Sequence, residues 1–254
     1  MPSKLLKFFF FLFLIIYFLY LILSRIPAEY AAVAIHKAAP NVWLNGITGS
    51  FWQGAASSTQ VDVARANIAL GQTRWKINPW SLLILSPCVQ FEMIAPGQMI
   101  RGKACHSPFI GTQIKGLEVE APVAIAQVLL PMRVDGHVSV NILAATVSGQ
   151  TVKKMDGQVS WLGAKVHDGN GMINLGSFAA KLSQANSGIQ AKLFELDGPI
   201  GVDLMANWAA GQESWKINGT VSPKEGAPET VTQALQLVAE EKEPGKFTLI
   251  WPNQ

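Results

Sequence analysis

Two hydropathy patterns divide the chain. Residues 5–23 form a 19-residue stretch interrupted only by Lys7, and 8–23 is an unbroken run of 16 apolar or aromatic side chains. As helix, 19 residues rise about 28 Å, close to the roughly 30 Å hydrocarbon core of a bilayer. The pattern predicts one transmembrane anchor. A cleavable leader is the alternative, because 16 residues only just exceeds its usual apolar length. Against it, Ser24-Arg25-Ile26-Pro27 follows, with no small-x-small cleavage signal. Residues 28–39 read as a helical stalk continuing from the anchor and ending before Pro40.

From Val42 onward the period changes from helical to two. Segments 60–68, 73–78, 134–147, 154–161, 189–196 and 201–208 alternate apolar and polar positions between Gly, Asn, Asp and Pro. That texture predicts a mainly β fold, a large antiparallel meander forming a curved or twisted sheet. Two short helices interrupt it. Residues 122–130 are one, closed by Pro131, although their Val and Ile content leaves a strand open. Residues 228–241 are the other, with Val231, Leu235 and Val238 on one face. Gly245 ends that helix, and 247–251 returns as a last strand.

Internal repetition supports the meander. [Asp/Asn]-Gly-x-[Val/Ile] recurs at Asp135, Asp156, Asp197 and Asn218. With Leu175-Gly176 added, Gly136, Gly157, Gly176, Gly198 and Gly219 follow one another at about 20-residue intervals. One such signal per pair of strands is the expectation. Gly-Gln-x-x-Trp-Lys-Ile-Asn also occurs twice, at 71–78 and 211–218, which points either to two similar halves or to shared turn chemistry. The expected organisation is a cytoplasmic tip and anchor (1–25), a stalk (26–40) and a β-rich domain (41–254) with candidate halves 41–121 and 132–254.

Charge refines the picture. Lys+Arg 20 against Asp+Glu 17 gives a net charge of +3, and the excess is Lys4, Lys7 and Arg25, flanking the anchor. The body is neutral by count, which removes support for a nucleic-acid surface. Lys4 and Lys7 before the anchor orient the N-terminus to the cytoplasm and the body to the periplasm. Charged residues are only 15% of the chain, below the roughly 25% of an average soluble domain.

The two cysteines suit an oxidising compartment. Residues 88–95 and 98–105 read as hairpin strands, and a Pro96-Gly97 loop places Cys88 directly opposite Cys105. Pro-Gly is not the preferred hairpin turn, so a one-residue slip and two separate buried thiols are the alternatives. No metal site is expected: there is no Cys-x-x-Cys, and the four histidines are scattered. No Gly-x-Ser-x-Gly, phosphate loop or His-Glu-x-x-His occurs, so neither an enzyme nor a cofactor nor a small-molecule substrate is expected. Glu118 and Glu120, two apart on a strand, fit a solvated face better than an acid/base pair, and Glu240–Glu243 reads as a solvated tail. Trp43, Phe51, Trp52, Trp75 and Trp80 crowd beside turn residues. They either seal the end of a core or form an exposed docking surface.

Several short motifs follow the anchor in order: Gly46-Ile-Thr-Gly49-Ser-Phe-Trp52-Gln-Gly54, Trp75-Lys-Ile-Asn-Pro79-Trp-Ser-Leu-Leu83, Asp156-Gly-Gln-Val-Ser-Trp161, Leu196-Asp197-Gly198-Pro-Ile-Gly201 and Gly245-Lys-Phe-Thr-Leu. Together they resemble protein N of the bacterial type II secretion system. The resemblance implies an inner-membrane, periplasm-facing component of the apparatus that exports folded proteins across the outer membrane. It implies partners among that machine's inner-membrane components, with the outer-membrane secretin a further candidate. A membrane-tethered β-groove that carries lipid is the competing class, since an anchor plus an apolar-faced meander describes it equally.

Overall fold

The computed structural model describes residues 2–63, 66–129, 132–149, 151–167, 169, 171–185, 188–209, 215–227, 229–238 and 240–251; the side chain of Lys4 is among those outside the described set. Helix α1 (Pro2–Ser24) is followed by α2 (Ala28–Ala38). The stretches of α1 whose side chains are described are each shorter than a membrane span. Among them no helix is long and apolar enough to cross. The backbone helix itself runs 23 residues, and its described Phe and Leu side chains are exposed.

The stalk is not a continuation of α1. Pro27 is extended, with φ −63° and ψ 150°, and bridges to Ser50. Proline lacks the N–H that an uninterrupted helix would use there. The chain then doubles back: α2 runs along β1 (Val42–Gly49) and β2 (Gln53–Val63).

One antiparallel sheet of 14 strands accounts for the rest. After β3 (Ala66–Asn78) and the one-turn helix α3 (Trp80–Leu83) come β4 (Cys88–Ala95), β5 (Gln98–Ser107) and β6 (Gly111–Pro122). A 3-10 helix, Val123–Leu129, leads to β7 (Val134–Ser148), β8 (Thr151–His167), β9 (Met172–Ala185), β10 (Gly188–Asp197), β11 (Ile200–Ala209) and β12 (Lys216–Pro223). Helix α4 (Glu229–Val238), β13 (Glu240–Glu243) and β14 (Lys246–Trp251) complete the described chain. Neighbours in sequence are neighbours in the sheet, except that β14 inserts between β12 and β13. The sheet is therefore open, with β1 and β13 at its edges.

Three expectations need correction. Glu240–Glu243 is a strand paired to β14, and Gly245, at φ 76°, sits between β13 and β14 and does not cap a helix. Segment 60–68 is the end of β2 and the start of β3, with 64–65 outside the described residues. The repeated glycines do not mark pairs of strands: Gly136, Gly157, Gly176 and Gly219 lie inside β7, β8, β9 and β12, and only Gly198 is in a turn. They are points of close backbone approach. A Cβ on Gly176 would lie 2.1 Å from the Asp197 carbonyl oxygen, and one on Gly219 2.2 Å from that of Asp203, which only glycine avoids. The candidate boundary near 122–133 falls between β6 and β7, which pair along most of their length.

The core lies on one face. At one end α2 lays Ala28 and Ala31 on Ala56 and Trp75, with Leu44, Ile47, Ile77 and Val89 beside them. At the other, α4 packs Val231 and Leu235 against Ile200, Val221, Ile173 and Leu175. Between these covers the same face continues through register partners such as Val119, Val140, Val159 and Ala180, all half-buried. The total accessible surface is 16642 Å², against roughly 11,000 Å² for a compact 27.5 kDa monomer. Even a fully extended segment the size of α1 would expose only about 4,200 Å². An open sheet face supplies the remainder.

Candidate functional site

The connections β1–β2, β3–β4, β5–β6 and β7–β8 lie at the end of the sheet where α1 leaves it. Polar contacts there tie the last turn of α1, and the chain just after it, to the sheet. The Trp52 indole N–H donates to the Leu23 carbonyl at 2.6 Å, in the last turn of α1, where the Ile26 N–H reaches the same oxygen only at 3.5 Å. The Phe51 N–H donates to the Ile26 carbonyl at 2.8 Å, and the Ile77 N–H to the Trp52 carbonyl at 2.7 Å. Phe51 and Trp52 meet edge to face, centroids 5.1 Å apart. A shallow pocket beside them is lined by Ile22, Arg25, Ile26, Pro27, Tyr30 and Phe51.

Trp75 underlies this junction. It is buried, and its indole N–H donates to the Phe51 carbonyl at 3.2 Å. Gly54 lies flush on its ring, where a Cβ would stand 2.3 Å from it. Gly46 and Gly49 take left-handed φ of 62° and 95°, and a Cβ on Gly49 would meet the Gln53 carbonyl at 2.6 Å. Pro79 precedes α3. The motif residues Gly46, Gly49, Trp52, Gly54, Trp75 and Pro79 thus gather on β1–β3 and its connections, mostly at the α1 end. Trp161 is elsewhere, on β8, donating to the Asp135 carbonyl at 3.1 Å beside Gly136. Asp197 and Gly198 form the β10–β11 turn against Gly176.

The aromatic cluster divides. Trp75 seals the core, Phe51 and Trp52 are half-buried, and Trp43 and Trp80 are exposed, Trp80 by 74%. Leu82 and Leu83 close the Trp75–Leu83 motif, but the sequence reading missed Ile84, Leu85, Phe109 and Ile110; all six are exposed at the same end. Its available signal was four consecutive apolar residues with no alternation, directly after Pro79-Trp80-Ser81.

Cys88 and Cys105 are cross-strand partners and are bonded. Glu118 pairs with Arg101 on an exposed face, not with Glu120. Among the described residues no group of three or more His, Cys, Asp or Glu is arranged to hold a metal.

One carboxyl departs from its ordinary value. The Val202 N–H donates to Glu195 at 2.8 Å, and this bond lowers its pKa against an opposing effect of partial burial; Lys224, 3.4 Å away, helps. A depressed folded pKa stabilises the protein above the unfolded value, and that contribution is lost as pH falls through the folded one. Glu195→Gln is accordingly expected to reduce the loss of Tm on acidification across the carboxylate range. An unchanged acid limb of the Tm profile would contradict this.

Comparison with known proteins places the chain in a family. A family profile described as type II secretion system (T2SS), protein N matches residues 40–249. A relative from Aeromonas hydrophila, named type II secretion system protein N, is 26% identical over 250 residues, covering 94% of each chain. No solved structure matches the chain. The match spans the whole described sheet from β1 to most of β14, so this chain belongs to the type II secretion system protein N family.

Proposed function

We propose that this protein is an inner-membrane-anchored, periplasm-facing component of the type II secretion machinery, acting through protein contacts and not as an enzyme. The anchor reading rests on the 16-residue apolar run within α1 and on Lys4 and Lys7 preceding it. The observation that carries the contact reading is the asymmetry of the two sheet edges. β13 is Glu-Glu-Lys-Glu, and charge of this kind blunts strand addition. β1 is eight residues without a formal charge, Val-Trp-Leu-Asn-Gly-Ile-Thr-Gly. Val42 is taken up by Ala39 and His36, but beyond it the outer edge pairs with no strand among the described residues and suits a partner strand, where main-chain hydrogen bonds supply affinity.

Co-purification tests both parts. The tagged full chain, extracted from membranes, is expected to recover other inner-membrane components of the machine. Asn45→Lys with Thr48→Lys, both exposed on β1, should reduce that recovery several-fold. Undiminished recovery would exclude β1 as the docking edge, and absence of secretion components in the parent sample would remove the functional reading.

The uncovered middle of the apolar face supports a second reading, a tethered groove for lipid. Photocrosslinking from Val138 and Val159 separates the two, because lipid adducts there favour the groove and protein adducts the scaffold.

A further inference from the structure

The most exposed apolar side chains of the sheet domain are not scattered. They occupy two neighbouring connections at the α1 end. In the β3–β4 connection Trp80, Leu83 and Ile84 are each 74% exposed, and Leu85 is 62% exposed; in the β5–β6 connection Phe109 is 82% exposed. The His106 N–H donates to the Pro87 carbonyl at 2.9 Å, holding the two connections side by side. Neither carries a charge from Pro79 to Pro87 or from Ser107 to Thr112.

These tips are built rather than loose. Ser81 is buried; its hydroxyl donates to the Asn78 carbonyl and accepts from the Cys88 N–H at 2.9 Å. The Ser86 N–H returns to the Ser81 carbonyl at 2.9 Å. Leu85 holds φ 51°, the one described non-glycine residue in the left-handed region, a conformation that costs free energy for leucine. The Cys88–Cys105 bond joins the bases of the two tips. A strained, braced and largely exposed apolar turn is unfavourable in water unless something covers it.

Charge identifies the cover. The halves of strands β1–β8 nearer α1 carry Arg74, Lys76, Lys103, Lys115, Lys153 and Lys154 against Asp156 alone. The halves farther from α1 carry Asp62, Glu92, Glu118, Glu120 and Asp135 against Arg101 and Lys165. A body that is neutral by count is thus polarised along its strands. Lys103 and Lys115 are direct cross-strand partners, and Lys76 continues their row through Gln90. Like charges set opposite one another destabilise a sheet, unless an anionic surface compensates. The Lys103–Lys115 row stands four residues back from the β5 and β6 ends, about 13 Å along the strands. Interfacial apolar groups enter a bilayer by about 5–10 Å, which brings that row close to the headgroups.

We propose that the Trp80–Leu85 and Phe109–Ile110 tips insert into the bilayer leaflet from which α1 emerges, with the lysine row facing its anionic headgroups. The sheet then stands on the membrane by three contacts, not by a single flexible tether. This rests on the anchor reading of α1 above.

The test reconstitutes the full chain into phosphatidylglycerol–phosphatidylethanolamine vesicles, with a benzophenone side chain at one position at a time: Phe13, Leu83, Phe109 or Pro96. Phe13 reports the anchor, and Pro96 is in the β4–β5 turn at the opposite end. Lipid adducts are expected at Phe13, Leu83 and Phe109, the last two about tenfold or more above Pro96. Adding Leu83→Asp and Ile84→Asp should lower the Phe109 yield by a similar factor. Adducts at Phe13 with only the Pro96 background at Leu83 and Phe109 would overturn the proposal and leave the anchor standing. No adduct at Phe13 would overturn the anchor itself, and this proposal with it.

Discussion

Trp75→Ala is expected to destabilise the protein by about 3–5 kcal/mol, the range for removing a buried aromatic side chain whose neighbours relax only partly. Three features place it there. Trp75 is 5% exposed and sits under Ala28 and Ala31 of α2. Gly54 abuts its ring and has no side chain with which to fill the vacated space. Its N–H to the Phe51 carbonyl also fixes the β1–β2 turn that receives α1. Denaturant unfolding of the detergent-extracted full chain measures the loss. Trp80→Ala, five residues on and 74% exposed, is the control, with an expected change within about 0.5 kcal/mol. Equal effects at the two positions would contradict the burial argument.

Opening the Cys88–Cys105 bond is the second large effect. It closes a loop with a sequence separation of 17, worth about 3 kcal/mol in the chain-entropy model. The bond spans the bases of β4 and β5, so its loss should also loosen the Pro87–His106 contact between the two connections. Cys88→Ser with Cys105→Ser is expected to lower Tm to the value reached by the parent protein under reductant. A reductant-insensitive Tm in the parent would show that the bond contributes nothing.

Much of the architecture is legible locally. Strand residues reveal themselves by alternation because one face of each strand is dry. Hairpin connections need only short-range information, and Cys88, Cys105 and the Pro96-Gly97 turn all belong to one hairpin, whose register follows from its loop. α4 is visible through Val231 and Leu235, which meet the sheet as helical spacing requires. Where local signals compete, the reading fails. Glu240–Glu243 has the composition of a solvated tail, yet β14 offers it an unpaired edge. The glycine period has the look of turns, yet records bulges and close approaches inside strands, because glycine serves both purposes.

The aromatic residues mark the limit most clearly. Trp75 and Trp80 are five apart, one near the end of β3 and the other just past it, but one is buried and the other largely exposed. Alternation distinguishes the faces of a strand; it does not say whether a residue beyond the strand end meets a covering helix. That depends on α2 folding back over β1–β3, which Pro27 permits by breaking the helix.

By itself, then, the sequence determined the β meander, the apolar first helix and the neutral charge of the body that follows it, since these follow from periodicity and counting. Only the tertiary structure decided how the charges are distributed, with bases toward α1 and acids away from it, and which apolar turns stand beside that helix. Antiparallel strands reverse direction at every turn, so residues far apart in the chain share one end of the sheet. Counting along the sequence averages that polarity away.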